Sequence, residues 1–223
     1  MNEKETMKKA EEEFKSISHW SWSTFSRIRK EARKTFPSVY TLPVRKKLFD
    51  VIASVNPAPA SVLDVGASDR SLGDRLKKNH PSLLYQTMDI DREQQHDYYD
   101  LMEIHQTYDM IIFSEVIEHL DFQEGLKTLT RLFGLINDRG FLIVSTPNLH
   151  HPNRFWDIDH KTPYRYDDLA ALLKIVGFRV QQIYRIYNAS EPWRAMRLYG
   201  LSWIHRLLDV DFAKSIVVVA EKV

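Results

Sequence analysis

Three side chains able to do acid–base or metal chemistry stand close together in YDMIIFSEVIEHLDFQEGL, Tyr108 to Leu126: Glu115, Glu118 and His119. They follow the apolar run DMIIFS (109–114), where a buried strand should end. If the segment is helical, the spacing i, i+3 and i+4 puts all three on one face. Two carboxylates and an imidazole so arranged can touch a bound cationic group, accept a proton as a general base, or ligate a divalent ion. The plain alternative is that Glu118 and His119 cap and orient the first turn of a helix, a glutamate favouring its positive end.

A second group sits after SVLDV (61–65), in Asp64-Val65-Gly66-Ala67-Ser68-Asp69-Arg70-Ser71-Leu72-Gly73. Gly66 suits a tight turn that lets backbone approach a ligand, and Ser68 or Asp69 can cap the helix that follows. A dinucleotide site would require G-x-G-x-x-G so that a pyrophosphate can reach the helix N-terminus. Here Ser68 and Ser71 stand where those glycines belong, which disfavours a nicotinamide-dependent dehydrogenase. Asp89, in Met88-Asp89-Ile90-Asp91, lies 25 positions beyond Asp64 (89 − 64). That is where a doubly wound sheet carries the acid that accepts ribose hydroxyls. With Asp64, Asp89, Asp91 and Glu115 around it, the crevice would be acidic, suiting a cationic nucleoside without phosphates.

These residues need a parallel sheet to position them, because ligands of open α/β sheets bind at the carboxyl ends of the strands. The sequence supplies one. The runs SVLDV, LLYQTMDI (83–90), DMIIFS and GFLIVST (140–146) alternate with helix-like stretches at Ser71–Asn79, Phe122–Ile136 and Tyr166–Val176. Continuous apolar strands between helices indicate a Rossmann-like, doubly wound, mostly parallel sheet of six or seven strands. FRVQQIYRIY (178–187), a helix-like 193–208 and SIVVVAEKV (215–223) close the chain, the last as an antiparallel strand expected at the sheet edge. Before residue 60, two helices joined around Ser21–Ser23 and a third over Val44–Val55 are expected, residues 1–43 forming an N-terminal helical cap and 44–223 the main domain.

Composition narrows the class. The 223 residues, 43% hydrophobic and 27% charged, are ordinary for one folded domain with appendages. The net charge of +1 supplies no field for a polyanion, so a nucleic-acid partner is disfavoured. With no cysteine, disulfides, thiolate catalysis and Cys-ligated zinc are excluded. The charged start MNEKETMKKAEEEF is unlike a signal peptide, and no apolar run is long enough to span a bilayer, so a soluble, cytoplasmic protein is expected.

Taken together, these stretches resemble the class I S-adenosylmethionine-dependent methyltransferases, in particular the small-molecule branch with E-V-I-E-H-L after the fourth strand. The resemblance rests on VLDVGASDRSLG, MDID, YDMIIFSEVIEHL, GFLIVSTPN, LLKIVGF and VVVAEK, in that order. It implies a methyltransferase that binds S-adenosylmethionine and passes its methyl group to an oxygen or nitrogen of a small-molecule or lipid-linked acceptor. It further implies that Asp64, Gly66, Ala67 and Ser68 lie along the methionine part of the cofactor, and that Asp89 takes the ribose hydroxyls. Ile90 would pack on the adenine, Asp100 and Leu101 would border its edge, and Ser114 and Glu115 would border the sulfonium. His119, Glu115 and His160 are the candidate catalytic residues, with His119 or His160 as base for a hydroxyl acceptor. Two departures stand out: Ser68 and Arg70 replace the family's later glycines, and only 10 residues separate Asp89 from Asp100, so the third strand should be short or lost.

The same E-x-x-E-H also resembles the RNA 3′-terminal 2′-O-methyltransferases, in which two acids and two histidines bind a divalent ion. His150, His151 or His160 would be the fourth ligand. That rival would depend on metal, whereas the main assignment needs none. A further rival is a non-catalytic member that binds the cofactor and acts through a partner protein. Trp20, Trp22 and Phe25 are expected to fold over the cofactor as a lid or to pad the sheet. The 193–208 segment, basic and aromatic, is expected either to pack its apolar face inward as a substrate-side cover or to touch a membrane peripherally. The identity of the acceptor and the oligomeric state are not encoded in these motifs.

Overall fold

A strand apolar on both sides can only lie inside a sheet whose two faces are covered, and four such runs here force a layered α/β arrangement. The computed structural model describes residues 21–152, 157–190 and 192–223. Its elements are α1 (Trp22–Thr35), β1 (Val44–Arg45), α2 (Leu48–Ile52), β2 (Ser61–Val65), α3 (Ser71–Asn79), β3 (Leu84–Met88), β4 (Tyr108–Ser114), α4 (Phe122–Gly134), β5 (Ile136–Pro147), α5 (Tyr166–Val176), β6 (Phe178–Ile186) and β7 (Ser215–Lys222). A broken helical segment occupies 193–207, and single 3-10 turns form at Leu101–Glu103 and Ile117–His119.

The strands form one seven-stranded sheet in the order β1-β6-β7-β5-β4-β2-β3. Every pairing is parallel except those of β7, which runs antiparallel to both β5 and β6. The last strand is therefore not at the edge, as the sequence suggested, but between two others. Its own residues explain this: Ile216 to Ala220 are all buried, so neither face of β7 tolerates water. The edge is taken instead by β1, inside the stretch read as a helix from Val44. Val44 and Arg45 pair with Arg185 and Ile186 of β6, and the helix begins only at Leu48. The expected third strand is reduced to one parallel bridge, Met88 to Tyr98.

Apolar side chains pack on both faces of the sheet. One cluster joins α4 and α5 to Leu63, Ile111, Phe113 and Val144, and the other joins Val51, Ile52 and Leu76 to Val62, Met110 and Ile143. Over residues 22–42 the N-terminal region is tied into the first cluster through Ala32, Phe36, Val39 and Leu42. Ser21 caps α1 by accepting the Thr24 N–H, and the helix lies against α5. There Arg33 Nε donates to Asp167 Oδ2 (2.5 Å) and Arg29 Nη1 to Asp168 Oδ1 (3.1 Å). Trp22 is exposed and stacks on Phe25; Trp20 lies outside the described residues. No helix among the described residues is long and apolar enough to cross a membrane.

A buried ion pair ties these parts together beside the ends of β5 and β6. Arg185 of β6 donates to Asp211 Oδ1 (3.1 Å) and to the carbonyls of Leu42 and Tyr40, while Asn148, just past β5, donates to Asp211 Oδ2 (2.8 Å). Removing one partner of such a pair strands the other charge away from water, at a cost of about 3–5 kcal/mol. Denaturant unfolding should show Asp211→Ala losing stability in that range. Arg27→Ala, which breaks only the solvent-exposed Arg27–Glu31 pair, should stay within about 1 kcal/mol of the parent.

Candidate active site

The parallel register brings the ends of β2, β3 and β4 level: Val65 lies opposite Met88 on one side and Phe113 on the other. Just beyond Val65, Gly66 adopts φ +75°, and a Cβ there would run into the Val116 side chain, so the turn requires glycine. The Gly66 and Ala67 N–H groups donate to the Met88 carbonyl (2.8 and 3.3 Å). Ser68 N–H donates to Asp89 Oδ2 (2.8 Å), and the other oxygen of Asp89 accepts the Asp91 N–H (3.0 Å). The glycine turn and the ribose-type acid are thus neighbours. Ser68, standing where a second glycine was expected, takes φ +54°, the backbone conformation a glycine would supply. Asp69 accepts the Ser71 N–H (2.9 Å) at the start of α3.

Around this turn, Asp64 is buried, with the Tyr85 hydroxyl donating to its Oδ2. Ile90 is 82% exposed, an apolar side chain held out beside Asp89. Asp100 accepts the Met102 N–H (2.9 Å), and Arg131 of α4 donates to the carbonyls of Leu101 (3.3 Å) and Ile104 (2.5 Å), which fixes the short connection that replaces a third strand.

At the end of β4, Ser114 faces Ser145 of β5, their hydroxyls 2.8 Å apart, and Ser145 Oγ donates to Glu115 Oε1 (2.7 Å). Glu115 itself has φ +53°, outside any helix, and only Ile117–His119 form a 3-10 turn. The three groups therefore do not share one helical face; tertiary contacts hold each of them instead. Nor do Glu118 and His119 cap the next helix, since Asp121 and Glu124 form the capping box of α4.

Glu118 points inward, 2% exposed, and neither of its oxygens has a hydrogen-bond partner. His119 Nδ1 lies 3.2 Å from Asp159 Oδ2, and its ring meets that of His160 edge-on at 4.9 Å. One ligating atom from each of Glu118, His119 and His160 can be found within 4.8 Å of the others, a set able to hold a divalent ion. The partners arrive from a distant stretch that is pinned back by its own backbone: Lys161 and Thr162 N–H donate to the Glu118 carbonyl (2.8 and 3.0 Å). Glu118, Thr146, His160 and Tyr164 line a cavity of about 20 Å³, and the buried Thr146 and Tyr164 hydroxyls are unpaired too. Of the other candidate histidines, His150 lies 3.3 Å from Asp209 and His151 meets the Phe212 ring, and neither belongs to the Glu118 set.

Burial dominates the electrostatics. It pushes the Glu118 carboxyl up to about 8, with the neighbouring Glu115 adding to the shift. Glu115 is raised by the same cause, opposed by the Ser145 hydroxyl and by His160 and His119. Asp64 is pushed up to about 6 by burial, with the Tyr85 hydroxyl opposing. Sequence reasoning did not single out Ser145, Thr146, Tyr164 and Tyr85 as members of this site. The run S-T-P-N at the end of β5 was the one available signal for Ser145 and Thr146, since strand ends face the crevice; the others carry no local mark.

Residues 40–204 match a family model described as "Methyltransferase domain". No curated protein matches the chain. Among solved structures, a SAM-dependent methyltransferase from Archaeoglobus fulgidus is similar at 16% identity and TM-score 0.57, over 89% of this chain and 94% of that one. A magnesium protoporphyrin IX methyltransferase from Synechocystis with bound SAM matches at 18% identity and TM-score 0.53, over 79% and 76%. An N-methyltransferase from Bradyrhizobium japonicum, in complex with S-adenosyl-L-homocysteine, matches at 10% and 0.54, over 78% and 83%. At these identities the likeness concerns the fold.

The raised Asp64 carboxyl makes stability depend on pH with a definite sign. Its folded form holds a proton more tightly than the unfolded chain, whose ordinary value is 3.8, so the favourable contribution is complete below that value and is lost as pH rises through about 6. Asp64→Asn should remove this loss: unfolding free energies of variant and parent should converge near pH 4, with the variant more stable by up to about 3 kcal/mol at pH 8.

Proposed function

This chain belongs to the methyltransferase-domain family and uses S-adenosylmethionine as its methyl donor; we propose that it delivers the methyl group to an oxygen or nitrogen of a small or lipid-linked acceptor, at the carboxyl edge between β2 and β5. The observation that carries the site assignment is the Ser68 N–H to Asp89 bond, which joins the glycine turn to the acid beside an outward-held Ile90. The donor set fits the group. Gly66 leaves room for close backbone approach, and Asp64, Asp89 and Glu115 supply the negative field that a cation wants.

In this reading residues 44–223 are the transferring domain and the segment before them its cap, in the cytoplasm. Asp64, Gly66, Ala67 and Ser68 hold the amino-acid end of the cofactor, Asp89 its ribose hydroxyls, Ile90 the adenine face, and Asp100 and Leu101 the adenine edge. Ser114 and Glu115 border the sulfonium. When bound, the cofactor supplies a methyl on a positively charged sulfur, an excellent leaving group, so alignment carries much of the rate. The chain's own residues then need to move a proton only when the acceptor is a hydroxyl. His119 is oriented to take that proton, because Nδ1 turned to Asp159 leaves Nε2 as the acceptor, and His160 stands next to it.

The unpaired carboxylate of Glu118 beside His119 and His160 supports a second reading, transfer to a hydroxyl assisted by a divalent ion. Metal stripping separates the two. If chelation leaves methyl transfer unchanged, the second reading fails; if activity vanishes and returns with added Mg²⁺ or Mn²⁺, the metal-free assignment fails.

Titration calorimetry tests the main reading. The parent should bind S-adenosylmethionine and its demethylated product, and Asp89→Ala should weaken both by at least about tenfold, since each charge-assisted bond contributes about 1.5–3 kcal/mol. Undetectable affinity in folded parent protein would overturn it.

A further inference from the structure

We propose that the 193–208 segment docks this protein on an anionic lipid surface, with the carboxyl edge of the sheet beside the membrane. On a water-facing helix the apolar stripe turns inward and the polar side faces out. Here the arrangement is reversed. Trp193, Met196, Tyr199, Trp203 and Leu207 recur at three- and four-residue spacing and are all exposed, Tyr199 and Leu207 by 77%. Among the described residues, six of the twelve exposed large apolar side chains fall in these sixteen positions. The expectation that the segment packs its apolar face inward is thus not met; its remaining apolar residues Leu198, Leu201 and Ile204 are only half-buried.

Charge names the occupant. Between Trp193 and Leu208 there is no acidic residue, while Arg194, Arg197 and Arg206 contribute three positive charges. Exposed aromatic rings interleaved with arginines suit the headgroup layer of a membrane, where rings sit at the apolar boundary and guanidinium groups meet lipid phosphates. A second copy suits the surface less well, because a two-fold contact through this face would bring both sets of arginines together.

The segment is also held in a fixed place. The Tyr40 hydroxyl donates to the His205 carbonyl (3.1 Å), Arg197 lies over Phe212 (4.8 Å) and Arg206 over Tyr40 (5.9 Å). Through Asp211 this region joins Asn148 at the end of β5, on the edge that carries Ser145 and Thr146. Beneath it a cavity of about 40 Å³ is lined by Arg197, His205 and Arg206, with Arg185 already paired to Asp211. Tyr187 also lines this cavity, its hydroxyl buried and without a hydrogen-bond partner.

Vesicle co-sedimentation tests this without any acceptor, so it stands apart from the methyl-transfer reading; Asp89→Ala should bind vesicles like the parent. The parent should pellet with phosphatidylcholine vesicles containing phosphatidylglycerol, release as salt rises, and stay free of pure phosphatidylcholine. Millimolar inorganic phosphate should leave the bound fraction unchanged. The double variant Trp203→Ser, Leu207→Ser should bind at least tenfold more weakly while keeping the parent's unfolding midpoint. Failure of the parent to pellet with anionic vesicles at low salt, or equal binding by the folded double variant, overturns the proposal. Self-association of the parent that the double variant abolishes, without vesicle binding, would give the face to a second copy instead.

Discussion

The whole carboxyl edge depends on the parallel pairing of β2 with β3 on one side and with β4 on the other. Because Val65 is level with Met88 and with Phe113, the chain leaves three strands at the same height, and Gly66, Asp89 and Ser114 emerge side by side. A parallel ladder has no other way to gather residues fifty positions apart. Hydrogen bonds from the turn to Met88 and Asp89 then lock the loop against its neighbour, so the site is set by backbone geometry before any ligand arrives.

Part of that geometry carries a cost at the site. Ser68 and Glu115 both sit in the left-handed region, each at about 1–3 kcal/mol. Asp64, Glu115 and Glu118 are carboxyl groups held where burial disfavours their charge. A sequence shaped for stability alone would place neutral residues here. Buried carboxyl groups gathered at one edge, above a core that is otherwise apolar and well covered, fit the proposal that this edge receives a cation or a proton.

The outer elements divide the work differently from the strands. α1 is bound to α5 by two arginine–aspartate contacts and an apolar seam, so over residues 22–42 it behaves as part of the core. The 193–207 segment has no buried residue, and what anchors it is the polar junction around Arg185, Asp211 and Tyr40. α1 contributes to folding free energy, whereas the 193–207 segment presents the exposed apolar side chains on which the docking proposal rests.

How much of this was written in the sequence follows from how each feature is encoded. Burial and period are local: SVLDV and DMIIFS announce inner strands, the periodic runs at 71–79 and 166–176 announce helices at those same bounds, and Gly66 with Asp89 announces a turn and an acid at adjacent strand ends. What local pattern cannot carry is which distant group comes within 3 Å. Asp159 beside His119, Ser145 on Glu115, Tyr85 on Asp64, the insertion of β7 between β5 and β6, and the single 3-10 turn that follows Glu115 were all decided by sheet register and by loops folding back across forty residues. The outward face of 193–208 belongs with these. Sequence periodicity shows that a stripe is apolar, but only the surrounding packing determines whether it faces protein or solvent.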